Sequence, residues 1–241
     1  DLEYTGDPVE MAKEYNEAGA DEFVFLDITA SAEGRETMLD TVRSVADEVF
    51  IPLTVGGGIR TRDDIKETLR AGADKVSINT GALERPELIG EGAQSFGSQC
   101  IVISVDARRR FDEEGEYYAE VDGESCWFEC TVKGGREGTG IDAVEWAEEA
   151  EHRGAGELFI NSIDADGTKD GYDIPLMSAV CDTVSTPVIA SSGCGSPEDA
   201  YEVFTEANAD AALAASIFHF GEYSIEETKQ YLDERGIPVR L

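Results

Sequence analysis

The segment Asp142-Ala143-Val144-Glu145, followed by Gly154-Ala155-Gly156-Glu157, repeats Asp7-Pro8-Val9-Glu10 and Gly19-Ala20-Asp21-Glu22 at a constant offset of 135 residues, and that repetition decides the fold. Gly58 and Gly193 keep the same offset, and Ala73-Asp74 meets Ala209-Asp210 after a slip of one residue. Between these landmarks short apolar runs alternate with amphipathic ones. The runs Phe23–Leu26, Ile51–Val55, Lys75–Ile78, Ile101–Val105, Leu158–Ile160, Val188–Ala190 and Ala211–Ala214 read as parallel strands covered on both faces. Capping patterns at Asp7–Glu10, Asp142–Glu145 and Ser224–Glu227 open helices, and Met38, Val42, Val45 and Val49 form the apolar stripe of another. Two halves of up to four βα units predict a (β/α)8 TIM barrel, a fold of roughly 250 residues.

The expected organisation is one barrel domain over residues 1–241, with halves 1–99 and 100–241. Only seven strands are visible, and repeat logic places an eighth ahead of residue 1, so the first strand is expected to be missing from this chain. An insertion of about residues 108–138 follows the strand ending at Val105, the fifth of the eight. There Tyr117–Val121 and Trp127–Val132 alternate around Asp122-Gly123, a hairpin signal. Cys126 and Cys130 share one face of it and read as buried thiols, since no second pair and no nearby His completes a metal set.

Composition narrows the function. Nineteen Lys and Arg against 52 Asp and Glu give a net charge of −33, while 41% hydrophobic residues supply a sizeable core. Nucleic acid is excluded as a partner, because phosphate backbones are gripped by clustered cations. No signal peptide or membrane-spanning run is visible, and five scattered cysteines suit a reduced, cytoplasmic compartment. The acids are spread without long blocks, as in a solvated shell suited to high salt.

In this fold the chemistry belongs at the C-terminal strand ends. Gly56-Gly57-Gly58 and Asn79-Thr80 stand there in one half, Ser191-Ser192-Gly193 and Ala215-Ser216 in the other. Glycine turns let backbone N–H groups approach a phosphate, so two matched turns predict two phosphate sites and a long bisphosphate ligand. Acid–base candidates are Asp106, closing Ile103-Ser104-Val105, together with Asp27, Asp164 and Asp166. His152 and His219 read as structural. On the opposite rim Glu22, Lys75 and Glu157 begin three strands, as a salt-bridged plug, a gate or a docking surface. No cofactor or metal is expected.

Phe25-Leu26-Asp27-Ile28-Thr29-Ala30-Ser31, Val55-Gly56-Gly57-Gly58-Ile59, Ala73–Thr80, Asp164-Ala165-Asp166-Gly167-Thr168 and Ala212–Ser216 closely resemble the cyclase subunit of imidazole glycerol phosphate synthase, over essentially the whole chain. The acidity resembles that of a member from a salt-loving archaeon. The resemblance implies a histidine-pathway lyase. It would use ammonia from a glutaminase subunit at the N-terminal face to convert phosphoribulosyl-formimino-aminoimidazole carboxamide ribonucleotide, a bisphosphate. The products would be imidazole glycerol phosphate and aminoimidazole carboxamide ribonucleotide.

The same resemblance makes Asp106 one of two catalytic aspartates. It places the partner aspartate, a catalytic-loop lysine and a gate arginine in the segment expected before residue 1. The first phosphate maps to Gly58, Asn79 and Thr80. The second maps to Gly167, Gly193, Ala215 and Ser216, with Asp166 beside it and Asp27 also at the substrate. Glu22, Lys75 and Glu157 match the ammonia gate. Ser192 departs from the usual glycine. The alternatives are the sister phosphoribosyl-formimino isomerase of the same pathway, and a catalytically incomplete barrel or binding scaffold.

Overall fold

The computed structural model describes residues 7–26 and 32–241. Its strands and helices alternate along the chain: α1 (Pro8–Glu17), β1 (Phe23–Leu26), α2 (Ala32–Ala46), β2 (Leu53–Gly56), α3 (Arg62–Arg70), β3 (Lys75–Ile78), α4 (Thr80–Glu84), α5 (Glu87–Phe96) and β4 (Ile101–Arg110). The insertion follows as β5 (Ala119–Val121), β6 (Glu124–Val132) and β7 (Glu137–Asp142). Then come α6 (Ala143–Arg153), β8 (Glu157–Ser162), α7 (Ile174–Cys181), β9 (Val188–Ser191), α8 (Pro197–Glu206), β10 (Ala211–Ala212), α9 (Ser216–His219) and α10 (Ile225–Asp233).

The parallel strands pair in the order β1-β2-β3-β4-β8-β9-β10, and helices pack against the sheet as the alternation predicts. The two ends of this path are drawn together by side chains. Lys229 on α10 donates to the Gly19 carbonyl at 2.7 Å and to Asp21 at 2.9 Å, and Tyr15 on α1 hydrogen-bonds His219 at the end of α9. His219 is thus tied into packing, with burial holding its pKa below the ordinary histidine value.

The repeat seen in the sequence recurs as hydrogen bonds. Asp7 caps α1 through the N–H of Val9 at 2.8 Å, and Asp142 caps α6 through Val144 at 2.9 Å. Asp74 accepts from the Leu53 N–H at 2.8 Å, and Asp210 from the Val188 N–H at 2.9 Å. Thr61 with Asp64, and Ser196 with Asp199, form reciprocal capping boxes 135 residues apart.

Register assigns each strand residue to a face. Ser77 pairs with Gly56 and Val102, Val102 with Glu157, Ser104 with Phe159, Asp106 with Asn161, and Asn161 with Ser191. These residues share the inner face, because neighbours in a parallel ladder point the same way. The other face carries Val76, Ile78, Ile101, Ile103, Val105, Leu158 and Ile160, all buried in the main core beneath the helices. A smaller core of Ala12, Met38, Val42, Val45, Leu53 and Val55 packs α1 and α2 on β1 and β2. The apolar runs in the sequence are therefore strands with one apolar row on the helix side, while the inner row mixes Gly56, Ser77, Ser104, Asp106, Asn161 and Ser191 with the larger Val102 and Phe159.

Five strands depart from their expected bounds, β2, β8 and β9 by one or two residues at an end. The last ends at Ala212, as the chain turns toward Ala215. β4 runs on to Arg110, because residues 106–110 pair antiparallel with β6. The expected hairpin is present around Asp122 and Gly123, both at positive φ (53° and 83°), the signature of a tight hairpin turn. It is the outer part of a three-stranded unit, since β7 also pairs with β6. Cys126 and Cys130 are buried free thiols.

Candidate active site at the strand ends

Asp106 lies midway along β4 on the inner face, held in a ladder on both sides by Thr131 and Asn161. The Asn161 carboxamide donates to the Asp106 carboxylate at 2.9 Å and to the Ser104 hydroxyl at 3.1 Å. Asn79 also hydrogen-bonds the carboxylate. Burial raises the Asp106 pKa above the usual aspartate value; the Asn161 and Asn79 hydrogen bonds pull it down without cancelling that, and the Asp166 charge adds to the rise. A desolvated carboxylate with fixed donors is suited to exchange a proton with a bound ligand.

Of the other predicted residues, Asn79 and Asp166 act on this carboxylate, and the rest stand at helix starts and in turns. Asn79 precedes Thr80 at the start of α4, and Ala215 precedes Ser216 at the start of α9. The two junctions share an unusual backbone, with φ −112° and ψ −94° at Asn79 and φ −123° and ψ −69° at Ala215. Gly58 turns out of β2 at φ 63°, and Gly193 follows β9 at φ 95°. A Cβ on Gly193 would collide with the Gly171 carbonyl, so the turn after β9 and the loop carrying Asp166 and Gly167 are in backbone contact. Ser192 takes φ 75°, a left-handed conformation costly for a residue with a Cβ. Asp27 lies outside the described residues.

At the opposite end Lys75 bridges two carboxylates. Its ammonium lies 2.8 Å from Glu22 and 2.5 Å from Glu157, and its side chain is 13% exposed. Burial alone would lower the lysine pKa, but the hydrogen bonds to Glu157 and Glu22 outweigh it and hold the value above the ordinary one. Buried polar atoms without a hydrogen-bond partner include Glu157 Oε2, Thr54 Oγ1 and Asn79 Oδ1. Thr54 pairs with Lys75 in the β2–β3 register and so faces inward with it.

A family model described as "Histidine biosynthesis protein" matches residues 1–224. The chain belongs to that family. It is 86% identical over 241 residues to the imidazole glycerol phosphate synthase subunit HisF of Haloarcula marismortui, covering all of this chain and 89% of the relative. Identity to the HisF subunit of Natronomonas pharaonis is 87%, with the same coverage. To that of Methanosarcina acetivorans it is 58%, covering all of this chain and 90% of the relative. The TIM-barrel fold expected from the repeat is that of the family.

The sequence offered one residue that motif reading passed over. Asn161 closes Leu158-Phe159-Ile160 as Asp106 closes Ile103-Ser104-Val105, and an amide ending an apolar strand is the signal that could have found it. No helix among the described residues is long and apolar enough to cross a membrane, and no cluster of three or more His, Cys, Asp or Glu among them is arranged to hold a metal ion.

Proposed function

We propose that the chain is the lyase and cyclase subunit of an imidazole glycerol phosphate synthase. In this reading it takes ammonia and phosphoribulosyl-formimino-aminoimidazole carboxamide ribonucleotide and yields imidazole glycerol phosphate and aminoimidazole carboxamide ribonucleotide. The raised, doubly hydrogen-bonded Asp106 carries the proposal. Ring closure requires protons to be moved between nitrogen, carbonyl and leaving group, and a carboxylate with raised pKa can both accept and return one. Gly58, Asn79 and Thr80 hold one phosphate. Gly167, Gly193, Ala215 and Ser216 hold the other, with Asp166 and Asp27 beside the substrate. Backbone N–H groups do this work, which suits a protein with so few cations.

Ammonia enters between Glu22, Lys75 and Glu157 from a glutaminase subunit docked on that end of the barrel. The inward-facing, unpartnered Thr54 hydroxyl, with Asn79 Oδ1 nearer the mouth, offers hydrogen-bonding stations between floor and Asp106. The reaction belongs to a soluble biosynthetic pathway, and cytoplasmic residence follows from that. Incubating the protein with ammonium salt and this substrate, and with the preceding isomerase substrate in parallel, tests the reading. Release of the aminoimidazole ribonucleotide from the first alone is expected. Turnover of only the isomerase substrate would overturn it.

A further inference from the structure

Arg109, three residues beyond Asp106 on the extended part of β4, ties the insertion to the loop that carries Asp166 and Gly167. Its Nε donates to Asp173 at 3.0 Å, and its backbone N–H donates to Asp164 at 2.8 Å. The Asp173 side chain is fully buried, and it also accepts from the Ser162 hydroxyl at 2.9 Å and the Leu176 N–H at 3.3 Å. Ser162 in turn accepts from the Ala165 N–H at 3.3 Å. One arginine therefore fastens both ends of the loop, through Asp164 at its start and Asp173 at its close. The loop's far side is pinned by the Gly171 N–H, which donates to the Gly193 carbonyl at 2.9 Å. Asp173, Asp164 and the loss of solvent act together on Arg109. Burial disfavours its charge, but its hydrogen bond to Asp173 and both carboxylates more than restore it.

We infer that Arg109 is a positioning residue for the second phosphate: it sets the loop so that Gly167 and Gly193 present their N–H groups to one anion. This rests on the proposed function for the identity of the ligand. It also gives the insertion a purpose, since Arg109 is held straight by pairing with Phe128 of β6. The carboxylate that acts on protons and the arginine that sets the phosphate loop thus share one rigid strand. An anion bound by two turns is sensitive to their separation, because hydrogen bonds weaken steeply with distance and angle.

The test uses the whole chain, with Arg109→Lys and the double change Arg109→Gln with Asp173→Asn. The double change removes both charges together, so no uncompensated carboxylate is left inside and folding is spared. Arg109→Lys keeps a cation beside Asp173 but loses the planar fork. Both variants should raise the KM for the bisphosphate substrate about tenfold, as expected for one charge-assisted hydrogen bond lost at the ligand, with kcat nearly unchanged. Calorimetric titration with inorganic phosphate at fixed salt is the readout independent of turnover. The unaltered protein should bind at two sites, and the variants should weaken one and spare the other. A drop in kcat with KM unmoved, equal weakening of both phosphate sites, or phosphate binding unchanged in both variants would overturn the assignment. If the unaltered protein fails to turn over the substrate yet the phosphate result is as expected, the proposed reaction falls and the role of Arg109 stands.

Discussion

Asn161 and Asp106 are register partners on adjacent parallel strands, and the amide of the first donates to the carboxylate of the second at 2.9 Å. That bond opposes the burial that raises the Asp106 pKa. Removing it with Asn161→Leu should move the acid limb of the pH–rate profile to higher pH, since less then favours the ionised form. A profile unchanged in position, at lower rate, would sink this reading of Asn161.

Asp106→Asn should abolish ammonia-dependent turnover, with a loss of about 10²-fold or more, while substrate still binds. Stability should move the other way. With its pKa raised in the folded state, Asp106 holds its proton more tightly when folded than when unfolded. Its contribution to stability therefore declines as pH rises through the window between the ordinary and the raised value. The ionised group is a cost once pH has risen past the ordinary aspartate value, so the asparagine variant should melt no lower than the parent there, and its margin should grow with pH across the window in calorimetric scans.

Lys75→Met leaves Glu157 and Glu22 facing each other without their cation. A loss of about 1–3 kcal/mol is expected, discounted from the value for a fully buried pair because the site is partly open. The Lys75 pKa is raised, so the stabilisation is fully present below the ordinary lysine value and is lost as pH rises through the raised one. Glutamine-dependent turnover should suffer more than turnover with ammonium salt. Equal loss in the two assays would remove the gate from the proposed mechanism.

Ser192 carries a side chain at φ 75°. Ser192→Gly should stabilise the protein by about 0.5–1 kcal/mol, the relief of left-handed strain less the added freedom of the unfolded chain. At the next residue the opposite holds. Gly193→Ala meets the Gly171 carbonyl and should raise the substrate KM sharply. Melting curves and steady-state kinetics on the two variants check both.

A protein with a net charge of −33 repels a doubly phosphorylated ligand at low ionic strength. Substrate affinity should therefore improve as salt is raised from low to moderate levels, where the Debye length falls to about 10 Å or less. A titration series in potassium chloride that shows affinity falling from the outset would count against backbone-dominated phosphate binding.

What the sequence disclosed and what it withheld follow from distance along the chain. Asp106 and the glycine turns were legible because a carboxylate or glycine directly after an apolar run is a local pattern, although β4 itself continues past Asp106 to Arg110. The half-barrel repeat was legible because its caps recur at one spacing. The link between Arg109 and Asp173, 64 residues apart, has no local signature, and neither residue stands out among so many charges. The third strand of the insertion was hidden for another reason. Glu137-Gly138-Thr139-Gly140 has weak strand propensity, and β7 is held by pairing with β6 and by the buried Glu129, which accepts from the Gly140 N–H at 2.9 Å.

The continuation of β4 past Asp106 has a consequence for how such an enzyme can be altered. In other units of the barrel the strand stops where the chemistry begins, so a loop can be exchanged while the frame stays. Here the frame runs through Asp106 and out into the insertion. Amide hydrogens on both sides of Asp106 should accordingly be among the slowest in the chain to exchange with solvent. Grafting a shorter loop at this point would remove one of the two ladders that hold the acid still, and lineage variation in the insertion should end short of the residues paired with β4.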